Sequence, residues 1–259
     1  MTRHVLVARL DGAGDVLLAG PAVRAVAARR GTKVTFLCGP AGEAAARMLP
    51  GVDRVLVWAS PWILNPAPPV RGPELDRLVA ELAEPGFDAA VLLTSFHQSP
   101  LPTALLLRLA GVARITGVSV DYAGALLDVR LRPGDGPVDD LPEDLPEPER
   151  ALAVAAAAGF RLPRGDDGRL AVRRPPPVDH LLGDTGAGYV VVHPGAAVPA
   201  RRWPAGHHRE VVRLLTATGT PVVVTGGPDE RELTAHVAGG AASRGALDLG
   251  GRTTLAELA

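Results

Sequence analysis

Cysteine is almost absent from this chain of 259 residues: Cys38 stands alone, which excludes an intrachain disulfide. Its place in the apolar run VTFLC reads as a buried, inert thiol rather than a nucleophile. Charge of either sign is not in excess, since 27 basic and 28 acidic side chains leave a formal net charge of −1. The chain therefore lacks the electrostatic footprint of a nucleic-acid binder. It also lacks a charged n-region followed by an apolar h-region before the first strand-like run, and any apolar stretch long enough to cross a bilayer. These absences predict a cytoplasmic protein, with peripheral contact at the inner face of the plasma membrane left open. Metal-ligand patterns are missing too. The acidic pairs Asp139-Asp140 and Asp166-Asp167 have no nearby histidine or third carboxylate and read as solvated loops. No bound metal or tightly held cofactor is expected, and no internal repeat of the solenoid type is present.

What is there is an alternation of apolar runs and helix-like segments, organised around His4 to Val26. Val5, Leu6, Val7 and Leu10 form a strand-like run that turns at Asp11-Gly12-Ala13-Gly14 into Asp15 and a helix-like segment. Such a strand-to-helix corner lies at the carboxyl end of a parallel sheet, where open α/β folds bind ligands. The corner is not a dinucleotide fingerprint, because Leu17 occupies the third glycine position. Asp15 would moreover occupy the place of a pyrophosphate at a helix start. Two readings of Asp15 remain open: a helix cap, or a carboxylate presented to a ligand.

The alternation continues with a helix over 16–30 whose Gly20-Pro21 either kinks it or marks its start. A strand over 33–38, a helix over 41–49 and a strand over 53–58 follow. After a proline-heavy loop come a helix over 74–83, a strand over 88–93, a helix over 101–109 and a strand over 114–118. Residues 132–148 are acidic and rich in proline and glycine, a surface connection, and a helix over 149–159 follows. Pro175-Pro176-Pro177 reads as a semi-rigid hinge. Beyond it strands over 189–192, 221–225 and 246–249 alternate with helices over 207–217 and 232–237. Thr254 and Glu257 form a capping box; a helix begun so near the last residue reads as a domain cut short. The pattern predicts parallel sheets with helices on both faces, in two domains, 1–172 and 173–259.

Three motifs carry a resemblance. RLDGAGDVLLAGPA at Arg9–Ala22 resembles the opening signature of the ADP-heptose:lipopolysaccharide heptosyltransferase family, glycosyltransferase family 9. HPGAAVPARRWP at His193–Pro204 is similar to that family's donor-side loop, and TGGPDE at Thr225–Glu230 to its next strand-turn. The resemblance implies a GT-B-like α/β architecture of two Rossmann-like halves with parallel sheets, the C-terminal half incomplete in this chain. The first half would bind a glycan or glycolipid acceptor and the second a nucleotide-sugar donor, ADP-heptose among the donors implied. Asp15 matches the family's general base. Arg201 falls where a basic residue contacts donor phosphate, with Arg202 beside it, and Glu230 matches an acid that bonds the ribose. Gly195 and Ala196 belong to the same donor loop, and Gly14 to the acceptor-side corner. Ser95, His97 and Gln98 follow the fourth strand, so they either bind acceptor hydroxyls or form a polar loop. Two departures stand out. Ala196 and Ala197 replace a hydroxyl residue, and the donor motif D-x-G-x-x-H does not occur after the capping box.

Such residues suit inverting, metal-independent transfer. A carboxylate accepts the acceptor's proton as the glycosidic bond forms, while arginine neutralises the departing diphosphate. A non-catalytic nucleotide- or glycan-binding remnant is the alternative, and a nicotinamide-dependent oxidoreductase is disfavoured by Asp15 and Leu17. His193 is expected to anchor its loop, His207 and His208 to lie at the surface, and Trp203 to pack between helix and sheet.

Overall fold

The computed structural model describes residues 3–134, 136, 140–185, 188–239 and 246–259. They fall into two compact units, Met1–Arg173 and Arg174–Ala259.

The first unit opens with β1 (Arg3–Arg9), α1 (Ala13–Leu18) and α2 (Gly20–Ala27). The expected single helix is two, because Pro21 has no N–H to give the preceding turn and instead sits in the first turn of α2. Then come β2 (Thr32–Cys38), α3 (Glu43–Met48), β3 (Arg54–Val57), α4 (Gly72–Ala83), β4 (Ala89–Leu92), α5 (Leu101–Leu109), β5 (Ile115–Val118), β6 (Val129–Leu131) and α6 (Glu147–Ala157). All six strands are parallel, in the order β3-β2-β1-β4-β5-β6. This is a doubly wound sheet whose order reverses between β1 and β4. Along β1, Leu6 and Ala8 pack with Leu78 and Leu82 of α4 and Leu106 and Leu107 of α5. Val5 and Val7, which alternate with them, are fully buried as well. Both faces of the strand are covered, as a central parallel strand requires. Edge strand β6 was not expected; three half-buried residues give too short a pattern to stand out.

The chain leaving α6 is stapled back onto this unit. Arg24 of α2 grips the Asp166 carboxylate at 2.7 and 2.8 Å and the carbonyl of Arg169 at 2.9 Å. That corrects the reading of Asp166 as a solvated loop residue: the Arg24 hydrogen bonds, helped by the Gly168 N–H, hold its carboxyl down at about 2. Asp139 lies outside the described residues, while Asp140 accepts the Arg132 N–H at 2.6 Å. Arg173 donates its backbone N–H to Met48 and its guanidinium to the carbonyls of Leu49 and Val52.

The second unit comprises α7 (Asp179–Leu182), β7 (Val190–Val192), α8 (Ala205–Ala217), β8 (Val222–Val224), α9 (Arg231–Ala238), β9 (Ala246–Asp248) and α10 (Leu255–Leu258). Its three parallel strands run in the order β7-β8-β9. Val192, Val212, Val222, Val224 and Val237 form a small core. The Thr254 capping box is made: its hydroxyl accepts the Glu257 N–H at 3.2 Å and the Glu257 carboxylate accepts the Thr254 N–H at 2.8 Å. Among the described residues no helix is long and apolar enough to cross a membrane.

Candidate active site

The point where the strand order reverses holds a buried cation. Arg9, the last residue of β1, is only 3% exposed, yet its guanidinium meets three carboxylates. Nη1 donates to Glu147 at 3.2 Å, and Nη2 donates to Asp15 Oδ1 at 3.2 Å and to Ser95 Oγ at 2.8 Å. Nε lies 2.7 Å from Asp11 Oδ2, an ionic contact without hydrogen-bond alignment. The groups come from four parts of the chain: the end of β1, the corner before α1, the loop after β4 and the first turn of α6. Asp15 lies in the first turn of α1 with its side chain 41% exposed. It is held at one oxygen and open to solvent at the surface of the corner.

The corner glycines explain themselves by what is not around them. Gly12 has ordinary negative φ, and neither it nor Gly14 has an atom within 4 Å of where a Cβ would project. Neither backbone conformation nor packing within the chain demands glycine there, so the gap in front of the corner is free for a ligand to approach. Beside it a cavity of about 190 Å³ is lined by Ser95, His97, Gln98, Ser119, Asp121 and Arg150, among others. Gln98 is engaged at both ends of its amide: Nε2 donates to Asp11 Oδ1, and Oε1 accepts the Ser95 N–H at 3.2 Å. His97 is exposed and meets Phe96 edge to face, ring centres 5.0 Å apart.

In the second unit the loop after β7 and the turn after β8 converge on Glu230. One carboxylate oxygen accepts the Gly227 N–H at 2.9 Å and the other lies 3.8 Å from Arg202 Nη2. Arg202 Nε also donates to the Ala196 carbonyl at 2.8 Å, tying its own loop into a ring. A Cβ at Gly195 would lie 2.1–2.3 Å from the Glu230 carboxylate, so any side chain there would displace that carboxylate from its present place. A cavity of about 350 Å³ is lined by His193, Ala196, Ala197, Gly226, Gly227, Glu230 and Thr254, among others. His193 anchors the loop as expected, its Nδ1 3.0 Å from Thr225 Oγ1. Arg201 closes a short 3-10 turn, Pro199–Arg201, and is exposed.

Trp203 departs from its expected place between helix and sheet. It is 51% exposed, because Pro204 turns the chain into α8 directly behind it. Its ring lies 5.1 Å from that of His207 and 5.0 Å from that of His208. Partial burial, and then the neighbouring His207, push the His208 imidazole below its usual range. Cys38 is fully buried, and that burial raises its thiol to about 11.

Sequence reasoning missed Arg9, Asp11, Glu147 and Arg150 as site residues. Arg9 carried a signal, a charge directly after the apolar run Val5–Ala8 of its strand. Glu147 and Arg150 carried none, lying far along the chain on a helix that reads as alanine-rich.

A family profile described as "Glycosyltransferase family 9 (heptosyltransferase)" matches residues 76–259. The chain belongs to glycosyltransferase family 9. The matched stretch runs from α4 to the last residue and contains both C-terminal motifs. Among solved structures, the chain is similar to a glycosyl transferase family 9 protein from Veillonella parvula, with a TM-score of 0.73 at 18% identity over 99% of this chain and 71% of that one. The ADP-heptose lps heptosyltransferase II of E. coli gives a TM-score of 0.68 at 19% identity, over 99% of this chain and 75% of that one. The E. coli heptosyltransferase WaaC, solved with ADP, gives 0.67 at 20% identity over 95% and 74%. No curated protein matches. At these identities the structural likeness is one of fold, and it extends through β1, the corner and Asp15. The architecture is thus that of the family 9 GT-B fold, two Rossmann-like units with parallel sheets, the second holding three strands against six among the described residues.

Proposed function

We propose that this family 9 chain transfers a sugar from a nucleotide-diphosphate sugar to a cell-envelope glycan or glycolipid acceptor, at the inner face of the plasma membrane. One observation carries this reading: Asp15 is fixed at the sheet's switch point, half-exposed, beside a cavity lined by Ser95, His97 and Gln98. In this reading Asp15 is the general base. The acceptor hydroxyl becomes acidic as its oxygen bonds to the anomeric carbon, and Asp15 takes the proton while the nucleoside diphosphate departs from the opposite side. Configuration inverts in that single displacement. Gly14 leaves room for the acceptor, and Ser95, His97 and Gln98 border it.

On the donor side Glu230 accepts a ribose hydroxyl, and the Gly195-Ala196 backbone lies along the nucleotide. Arg201, exposed and with no ion-pair partner among the described residues, and Arg202 supply countercharge to the diphosphate in place of a metal. ADP-heptose is the first donor to test. The second reading, a binding protein without turnover, rests on the donor loop, where Ala196 and Ala197 offer no hydroxyl to the diphosphate.

A panel of ADP-, UDP- and GDP-sugars, read first by thermal shift and then by release of nucleoside diphosphate with glycan acceptors, tests the assignment. Turnover that falls by ~100-fold or more in Asp15→Asn, the scale of a lost general base, supports it. Full turnover by that variant refutes it, and donor binding without turnover in the parent chain supports the second reading.

A further inference from the structure

A lone carboxylate on a short helix is free to rotate. Asp15 is not in that position, because of Arg9. Each donor of the Arg9 fork has an assigned neighbour: Glu147 on Nη1, Asp15 and Ser95 on the two hydrogens of Nη2, Asp11 close to Nε. The guanidinium is almost completely shielded from water, so its charge is poorly screened. Its geometry is equally constrained, since β1 is paired on both sides, to β2 and to β4. Three carboxylates against one guanidinium leave the cluster with an excess of negative charge.

We propose that Arg9 is the positioning residue for Asp15: its buried fork fixes Oδ1 and leaves Oδ2 to take the acceptor's proton. This rests on the reading of Asp15 as the base. The role is assigned to Arg9 rather than to Ser95 or Gln98 because Arg9 alone touches Asp15 among the described contacts. Ser95 completes the arrangement by accepting from the same Nη2, which sets the plane of the fork.

The other charged groups around Asp15 are few. From α6 come Glu147 and Arg150, which share a small cavity with Arg9, and Glu149, which is exposed. From the corner comes Asp11. From α3, packed against α1, come Glu43 and Arg47, paired with each other at 2.6 Å in solvent. From α2 comes Arg24, engaged by Asp166. His97, after β4, is exposed.

The experiment is carboxyl carbon-13 relaxation of the full chain at neutral pH, with the Asp15 resonance identified by its loss in Asp15→Asn. Arg9→Gln should free the Asp15 carboxylate, seen as a loss of side-chain order at that resonance while the backbone of α1 stays as ordered as in the parent. Arg9→Lys, which keeps the charge but not the planar fork, should free it as well. Unchanged order in a folded Arg9→Gln overturns the proposal, and so does a loss of order that spreads equally through the α1 backbone. If Arg9→Gln does not fold, Arg9→Lys decides alone: a freed carboxylate supports the proposal, and a held one overturns it. The base assignment is judged separately, by turnover of Asp15→Asn. Full turnover there removes the catalytic reading yet leaves the ion pair standing, whereas an inert Asp15→Asn with a carboxylate unmoved by either Arg9 variant removes the Arg9 role alone.

Discussion

β1 and β7 open their units with the same kind of apolar run, yet they end in opposite surroundings. β1 lies between β2 and β4, and Val5, Leu6 and Val7 are completely buried. β7 pairs with β8 alone, and its Val190 and Val191 are 37% and 51% exposed. In the doubly wound order of the first unit, the place beside the opening strand is filled by β4; among the described residues of the second unit, nothing fills the corresponding place. Apolar composition therefore marks a strand but does not determine its burial; its neighbours in the sheet do. The same contrast runs through the two candidate sites. The first is built around a shielded cation fed by four parts of the chain, whereas the second is a surface ring of Arg202, Ala196, Gly227 and Glu230.

If the first unit is the tightly packed one, core truncation there should be the most damaging change. Phe36→Ala, at a fully buried position of β2, is expected to cost about 3–5 kcal/mol. Denaturant unfolding followed by Trp58 and Trp62 in a Trp203→Phe background reads that unit selectively. A smaller loss tests the stapled segment: Asp166→Asn removes the charge that Arg24 binds and should cost about 1.5–3 kcal/mol at neutral pH. The sign with pH follows from the depressed carboxyl. Its stabilisation is complete above the ordinary aspartate range and disappears as pH falls through about 2. The gap between parent and variant should therefore close on acidification, and a constant gap would break the account.

How much of this was legible beforehand depends on distance along the chain. The α/β alternation, the corner at Gly12–Gly14 and the Thr254 capping box were readable because each is a local pattern. Arg9's partners were not, because Asp15 lies six residues away while Ser95 and Glu147 lie 86 and 138 residues away. Only the sheet order brings those together. Trp203 was misplaced because a tryptophan next to Pro204 reads as a packing residue, and sequence does not show which side of the turn it occupies. Of the two readings of Gly20-Pro21, a kink or a helix start, the structure has the second: α2 begins at Gly20 with Pro21 in its first turn.

Two weaker changes sharpen the comparison from the side of the second unit. Thr254→Ala removes the cap of α10 and is expected to cost about 1 kcal/mol, with faster amide exchange confined to residues 254–258. Val191→Thr should fall within about 0.5 kcal/mol of the parent, because that side chain is already half in water. A large penalty there would mean that β7 is covered after all, and hydrogen exchange slower in β7 than in β1 would say the same.

Cys38 has a practical consequence for following either unit. With its thiol raised to about 11 and buried at the end of β2, where that strand pairs with β3, almost none of it is thiolate at neutral pH. A cysteine introduced at an exposed position such as Val70 or Tyr122 would thus react with a maleimide dye against a silent background, with no need to remove the native thiol first.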